Sequence, residues 1–218
     1  MGITIVTRGF IRSILILLNL DKNRNKNLAL TYICNNRNTM GFFSKIIFKI
    51  LKENSLSIIR KNKNSKIGDA FRIGNYSHFS IHPSASLVIS NRVNLRNYCN
   101  FVLAENAKLI LDENVFMNNY CSINAIEKIE IGENTLFGEG VKLYDHNHEY
   151  NGQIVEHRKF KSSPIKIGKN CWLGSNVTVL KGVTIGDNCI LGAGCVIHKD
   201  VPDNSIIINK QDQMIKNL

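Results

Sequence analysis

The sequence predicts an all-β fold, a stack of short strands wound into a triangular prism, and three observations predict it. The first is a six-residue beat: Ile167, Leu173, Val179, Ile185, Leu191 and Ile197 are aliphatic at unbroken intervals of six. The second is what fills the other slots. Gly follows at Gly168, Gly174, Gly186 and Gly192, and a small or β-branched residue stands four places after each aliphatic, at Cys171, Val177, Val183, Cys189, Cys195 and Val201. The third is recurrence upstream, in the triplets Ile67/Ile73/Phe79, Ile89/Leu95/Phe101, Leu111/Met117/Ile123 and Ile131/Phe137/Leu143. A period of six fits neither the 3.6 of a helix nor the 2 of a half-buried strand. It suits short strands joined by bends, each aliphatic pointing inward and each Gly or Asn permitting a turn. The phase slips between triplets, which predicts loops bulging at corners.

The elements follow in chain order. Residues 1–66 hold no hexads and read as a basic N-terminal extension. They carry 13 Lys and Arg against Asp21 and Glu53, whereas residues 67–218 carry 15 basic and 15 acidic residues. The net charge of +11 therefore belongs to the extension alone. A balanced folded body excludes the basic surface that nucleic-acid binding requires. The apolar run Ile14 to Leu18 is too short to span a bilayer, and no small-residue cleavage site follows it. Residues 19–38 are rich in Asn and Lys and have little reason to pack. Residues 42–52 place Phe43, Ile46, Ile47, Ile50 and Leu51 on one helical face, ringed by Lys45, Lys49 and Lys52. This predicts a basic amphipathic helix, serving as a cap on the open end of the stack or as a contact with an anionic membrane surface. Met40 offers a second start, which would put residues 1–39 upstream of the natural chain.

The stack occupies residues 67–208, with a tail at 209–218. Its longest break, between Leu143 and Ile167, contains YDHNHEYNGQIVEHRKFKSSP and three of the six histidines. A polar excursion from a regular stack is where repeat proteins place function. Five of the six cysteines (Cys99, Cys121, Cys171, Cys189 and Cys195) share the small-residue slot and read as core packing. No CxxC pair or zinc spacing occurs, so neither a disulfide framework nor a metal is expected, and a reducing cytoplasmic compartment fits.

From Ile167 to Pro202 the chain reads IGKNCWLGSNVTVLKGVTIGDNCILGAGCVIHKDVP. With the His-bearing loop before it, this resembles the hexapeptide-repeat acetyltransferases, most of all the O-acetyltransferases of galactosides, maltose and surface polysaccharides, over roughly residues 67–208. The resemblance implies a left-handed parallel β-helix and a homotrimer with acetyl-CoA in the groove between neighbours. It implies direct transfer onto a hydroxyl of a sugar, of a capsular or O-antigen glycan or its precursor, with a loop histidine as general base. A sugar hydroxyl is too weakly acidic to react unaided near neutral pH, and imidazole is suited to hold its proton. Carried over by position, His148 matches the base, with Asp145 and His146 orienting it or holding the sugar. Trp172 matches the position flanking the thioester, in contact with acceptor and cofactor. Gly174, Ser175 and Ala193 match the lining of the pantetheine arm, and Lys199, with His198 beside it, the region of the CoA phosphates. The tail departs from the family pattern: Asn209 and Gln211 replace a Gly and a Pro, leaving Lys210 and Lys216 as candidates for the nucleotide end.

Other readings on the same fold are weaker. A metal hydratase needs three converging histidines, and the pairs His146/His148 and His78/His82 have the wrong spacing. An N-acetyltransferase of amino sugars, or a non-catalytic scaffold or carbohydrate binder, would share the coil.

Overall fold

The structure, a computed structural model, describes residues 55–210. The amphipathic helix expected at 42–52 lies outside the described residues, as does Lys216 in the tail. A short helix at 55–61 comes first. It buries Ile59 against the core, and its Ser55 hydroxyl donates to the Ser77 carbonyl at 2.7 Å. Everything after it is strand, turn and bend, in a left-handed parallel β-helix.

Three parallel sheets form the three faces of the prism. The first runs from Lys66–Ile67 through Ser86–Ile89, Lys108–Leu111, Lys128–Ile131 and Ile165–Ile167 to Thr184–Ile185. The second begins at Arg72–Ile73 and ends at Ile206–Ile207, and the third runs from His78–Ile81 to Val196–Ile197. Parallel pairing stacks like on like. Ile67, Ile89, Leu111, Ile131, Ile167 and Ile185 stand in one inward column. Phe79, Phe101, Ile123, Leu143, Val179 and Ile197 stand in another. Burial of each such side chain contributes about 1.5–3 kcal/mol, and the middle of the prism is dry on all three faces: Leu111, Met117, Leu143 and Leu173 are all 0% exposed. The rings of Phe79 and Phe101 stack at 4.5 Å within it. The five cysteines of the small slot are buried and free, and burial pushes the Cys171 thiol up, away from the reactive thiolate.

The corners differ from one another. The first corner, between the first and second faces, turns through a residue at positive φ in every coil: Ala70, Arg92, Asn114, Asn134, Asn170, Asn188 and Asn204. Asn tolerates this left-handed region better than most L residues, and here its side chain adds something. Each amide donates to the next coil's carbonyl oxygen, from Asn114 to Asn134 (3.0 Å), Asn170 (3.3 Å), Asn188 (3.2 Å) and Asn204 (3.1 Å). At the second corner coils approach so closely that a Cβ on Gly174 would lie 2.7 Å from the Ala193 nitrogen. Both corners keep the six-residue beat without exception. The third corner absorbs all variation: ten, ten, eight, twenty-four and six residues separate the inward residues Phe79/Ile89, Phe101/Leu111, Ile123/Ile131, Leu143/Ile167 and Val179/Ile185. In the early coils the extra length goes into longer strands, which add Leu87, Leu103, Leu109 and Ile129 to the core.

Candidate active site

The twenty-four-residue excursion is a β-hairpin. His146–Tyr150 pairs antiparallel with Val155–Ser162, with a bulge between His148 and Glu149. Its tip is an Asx turn in which the Asn151 side-chain oxygen accepts the N–H groups of Gln153 and Ile154 at 3.0 Å each. Its root is closed by the Ser163 N–H, which donates to the Asp145 carbonyl at 2.9 Å.

Asp145 anchors the root. Its side chain is wholly buried, and its carboxyl oxygens accept the backbone N–H groups of Ile126 (2.9 Å), Glu127 (2.8 Å) and Lys128 (2.9 Å) from the preceding coil's third corner. The corner thus satisfies three donors that would otherwise be stranded. The same carboxyl group holds His146 Nδ1 at 3.0 Å. With Asp145 accepting, Nδ1 is the donor, and in the neutral ring Nε2 is then the acceptor. His146 is only 18% exposed and lies edge-on to Phe160 at 5.3 Å. His148, further out and exposed, places its ring 4.6 Å from Phe160. Its Nδ1 lies 3.1 Å from the Glu156 carbonyl, which can only accept, so its Nε2 is also a free acceptor. Both imidazoles are therefore held at Nδ1, and both rings contact Phe160. Nothing in the sequence marks Phe160; its place opposite His148 in the hairpin register does.

Of the two tasks expected of Asp145, its geometry suits orienting a ring: it is 0% exposed and hydrogen-bonded to backbone N–H groups and to His146.

The other candidates lie elsewhere. Trp172 is 54% exposed on the second face, in register between Leu136 and Ile190. Gly174 and Ser175 form the second corner one coil above Ala193, and the Ser175 carbonyl accepts the Gly194 N–H at 2.8 Å. A Cβ on Gly194 would meet nothing nearer than the Asn209 amide at 4.0 Å. Trp172 and Ile190 are exposed on the adjoining second face. His198 and Lys199 are exposed at the third corner, after Val196–Ile197. Within one chain, the structure brings the histidines together at the third corner and the pantetheine candidates at the second, with the third face between them. Among the described residues, no group of three or more His, Cys, Asp or Glu is placed to hold a metal, and no helix is long and apolar enough to cross a membrane.

Comparison with known proteins bears on this arrangement. The family model "Hexapeptide repeat of succinyl-transferase" matches residues 164–199. The chain is 34% identical over 103 residues to the putative lipopolysaccharide biosynthesis O-acetyl transferase WbbJ of Escherichia coli, covering 43% of this chain and 53% of that protein. It is 32% identical over 90 residues to the galactoside O-acetyltransferase of the same organism, covering 41% and 44%. The chain thus spans about half the length of these curated relatives. Among solved structures it resembles an N-acyltransferase from Bacillus cereus bound to dTDP-4-amino-4,6-dideoxyglucose and coenzyme A, with TM-score 0.58, 14% identity and coverage of 74% and 87%. It also resembles a hexapeptide-repeat acetyltransferase from Vibrio cholerae bound to acetyl coenzyme A, with TM-score 0.50, 19% identity and 71% of each chain covered. These structural likenesses are likenesses of fold.

Proposed function

We propose, from its likeness to sugar O-acetyltransferases, that this hexapeptide-repeat β-helix chain transfers an acetyl group from acetyl-CoA to a sugar hydroxyl. The acceptor in this reading is a capsular or O-antigen glycan or its precursor, which agrees with the names of the curated relatives. The observation that carries it is the hairpin root, where a buried carboxylate and a backbone carbonyl fix two adjacent imidazoles with Nε2 free.

The chemistry is direct. Nε2 takes the acceptor hydroxyl proton as the oxygen attacks the thioester carbonyl. The tetrahedral intermediate collapses, the C–S bond breaks, and the imidazolium returns the proton to the departing thiolate. General-base help of this kind is worth ~10²–10⁴-fold, or about 3–5 kcal/mol of barrier. In this reading His148 is the base, because its spacing to Asn151-Gly152 matches that of the family's catalytic histidine. A specific observation favours a second reading: His146 is less exposed and is oriented by a carboxylate that can stabilise the imidazolium, the support expected of a working general base.

The third face separates the histidines from the second corner of their own chain, so the reading includes a homotrimer in which one chain's hairpin meets the neighbour's second corner. Trp172, Gly174, Ser175 and Ala193 then line the acetyl-CoA groove, and His198 and Lys199 lie toward its phosphates. A cytoplasmic enzyme, with residues 1–66 as an extension able to meet an anionic membrane face, completes the proposal. Acetyl-CoA turnover against a panel of glycan repeat units, with the product located by NMR, tests it. O-acetylated product supports it; acetylation confined to amino sugars moves the protein to the N-acetyltransferases. Light scattering checks the assembly at three times the 24.6 kDa chain mass.

A further inference from the structure

Outside the hairpin, the second corner carries an unusual ladder. Tyr76, Tyr98 and Tyr120 occupy its positive-φ position in three successive coils, with φ of 58°, 60° and 61°. Tyrosine gains nothing from that backbone conformation. Their rings stack face to face, each pair 4.9 Å apart and within 10° of parallel. The next coil puts Gly140 where a fourth ring would stand, and the one after puts Asn176 there. The ladder therefore ends on a bare face. Tyr98, covered on both sides, is 44% exposed, whereas Tyr120 is 54% exposed.

We propose that this face of Tyr120 is a carbohydrate-stacking subsite in which a pyranose ring of the acceptor takes the place of the missing fourth ring. The spacing fits, because the coil repeat already sets rings 4.9 Å apart. The chemistry fits too: the apolar C–H face of a sugar packs on the electron-rich face of tyrosine, while its hydroxyls need polar partners at the rim. Asn176 supplies them. Its side-chain oxygen lies 2.5 Å from where a Gly140 Cβ would be, and the residue is exposed. Position adds a third argument, which rests on the acetyltransferase reading above. Ser175 and Ala193 lie at this same corner, and Lys199 belongs to the last coils. In the homotrimer of that reading, where one chain's third corner meets the neighbour's second, an acetyl-CoA with its phosphates toward Lys199 points its thioester up the groove, toward Gly140 and Tyr120. The subsite thus deepens that reading, by naming a ring that offers a flat C–H face as the acceptor.

The test uses the full chain, with Tyr120→Ala and Tyr120→Phe. An array of bacterial oligosaccharide repeat units and their monosaccharide methyl glycosides is screened by saturation-transfer NMR, and KM is measured separately for acceptor and acetyl-CoA. Loss of the ring in Tyr120→Ala weakens glycan binding and raises acceptor KM by on the order of tenfold, and Tyr120→Phe, which keeps the face, stays close to the parent. The acetyl-CoA KM is unchanged in both. A rise in acetyl-CoA KM instead would assign the slot to the cofactor, a fall in particle mass would assign it to a contact between copies, and glycan binding indifferent to Tyr120 would remove the subsite; each overturns the proposal. Tyr120-dependent glycan binding without acetyl transfer would leave the subsite standing and remove the acetyltransferase reading.

Discussion

The third corner of the prism contrasts with the other two. The first and second corners turn in a fixed number of residues, through left-handed positions spaced like the coils themselves, and carry ladders of Asn and Tyr. The third takes from four residues (Ile197 to Val201) to twenty-four (Leu143 to Ile167) between inward side chains and carries the hairpin. The difference teaches that a solenoid can grow chemistry only where its register does not depend on the turn. An insertion at the first corner would break a side-chain hydrogen-bond ladder and shift every inward residue beyond it, whereas at the third corner the chain leaves the column of Leu143 and still enters the next column in register at Ile167. The cost of a longer loop there is only that of closure, about 0.6 kcal/mol per doubling.

The largest expected effect separates these roles. Excising residues 147–161 and closing the gap with two glycines removes His148 and Phe160 but keeps the Asp145 anchor. Turnover is expected to vanish while the far-UV spectrum and cooperative melting of the coil persist; a chain that no longer folds would show that the hairpin is structural. In the core the scale is stability. Phe101→Ala, which empties a column between Phe79 and Ile123, is expected to cost about 3–5 kcal/mol in denaturant melts. At the first corner, Asn134→Ala breaks two ladder bonds and puts Ala in the left-handed region, for a loss of about 1–2 kcal/mol. The same change at the exposed third-corner Lys199 should leave stability within about 0.5 kcal/mol, and equal losses would erase the contrast.

The smallest effect is electrostatic. Burial, and then the charges of Glu130 and Glu133, raise the Asp112 pKa above its ordinary value. An acid whose folded pKa is raised withdraws stability as pH rises through that value, because the folded state disfavours the ionised form. Asp112→Asn should therefore raise Tm slightly at neutral pH, and the gain should disappear on acidification through the carboxylate range.

Much of this fold was legible in the sequence because parallel stacking repeats one environment in every coil. The aliphatic column from Ile67 to Ile185 and the five buried cysteines could be read from spacing alone. The lengthened strands that bury Leu87, Leu103, Leu109 and Ile129 were not, because at the third corner the beat is interrupted and nothing local says which side of the break points inward. In the site, the excursion and its histidines were visible as a polar break. The burial of Asp145 was not, since its partners are backbone N–H groups of residues 126–128, which no side-chain pattern reports. Phe160 was hidden for a related reason: its contact with both imidazoles depends on hairpin register, with a bulge that shifts it.

The central claim, that a hairpin imidazole is the base of acetyl transfer, is tested most directly by measuring turnover of His146→Ala and His148→Ala side by side, with acetyl-CoA affinity followed by calorimetry. The account predicts that one of the two loses at least ~10²-fold in turnover with acetyl-CoA affinity unchanged, while the other acts mainly through acceptor KM. The larger loss at His148 upholds the assignment from spacing, and the larger loss at His146 gives the role to the imidazole held by Asp145. Turnover within tenfold of the parent in both variants would contradict the account.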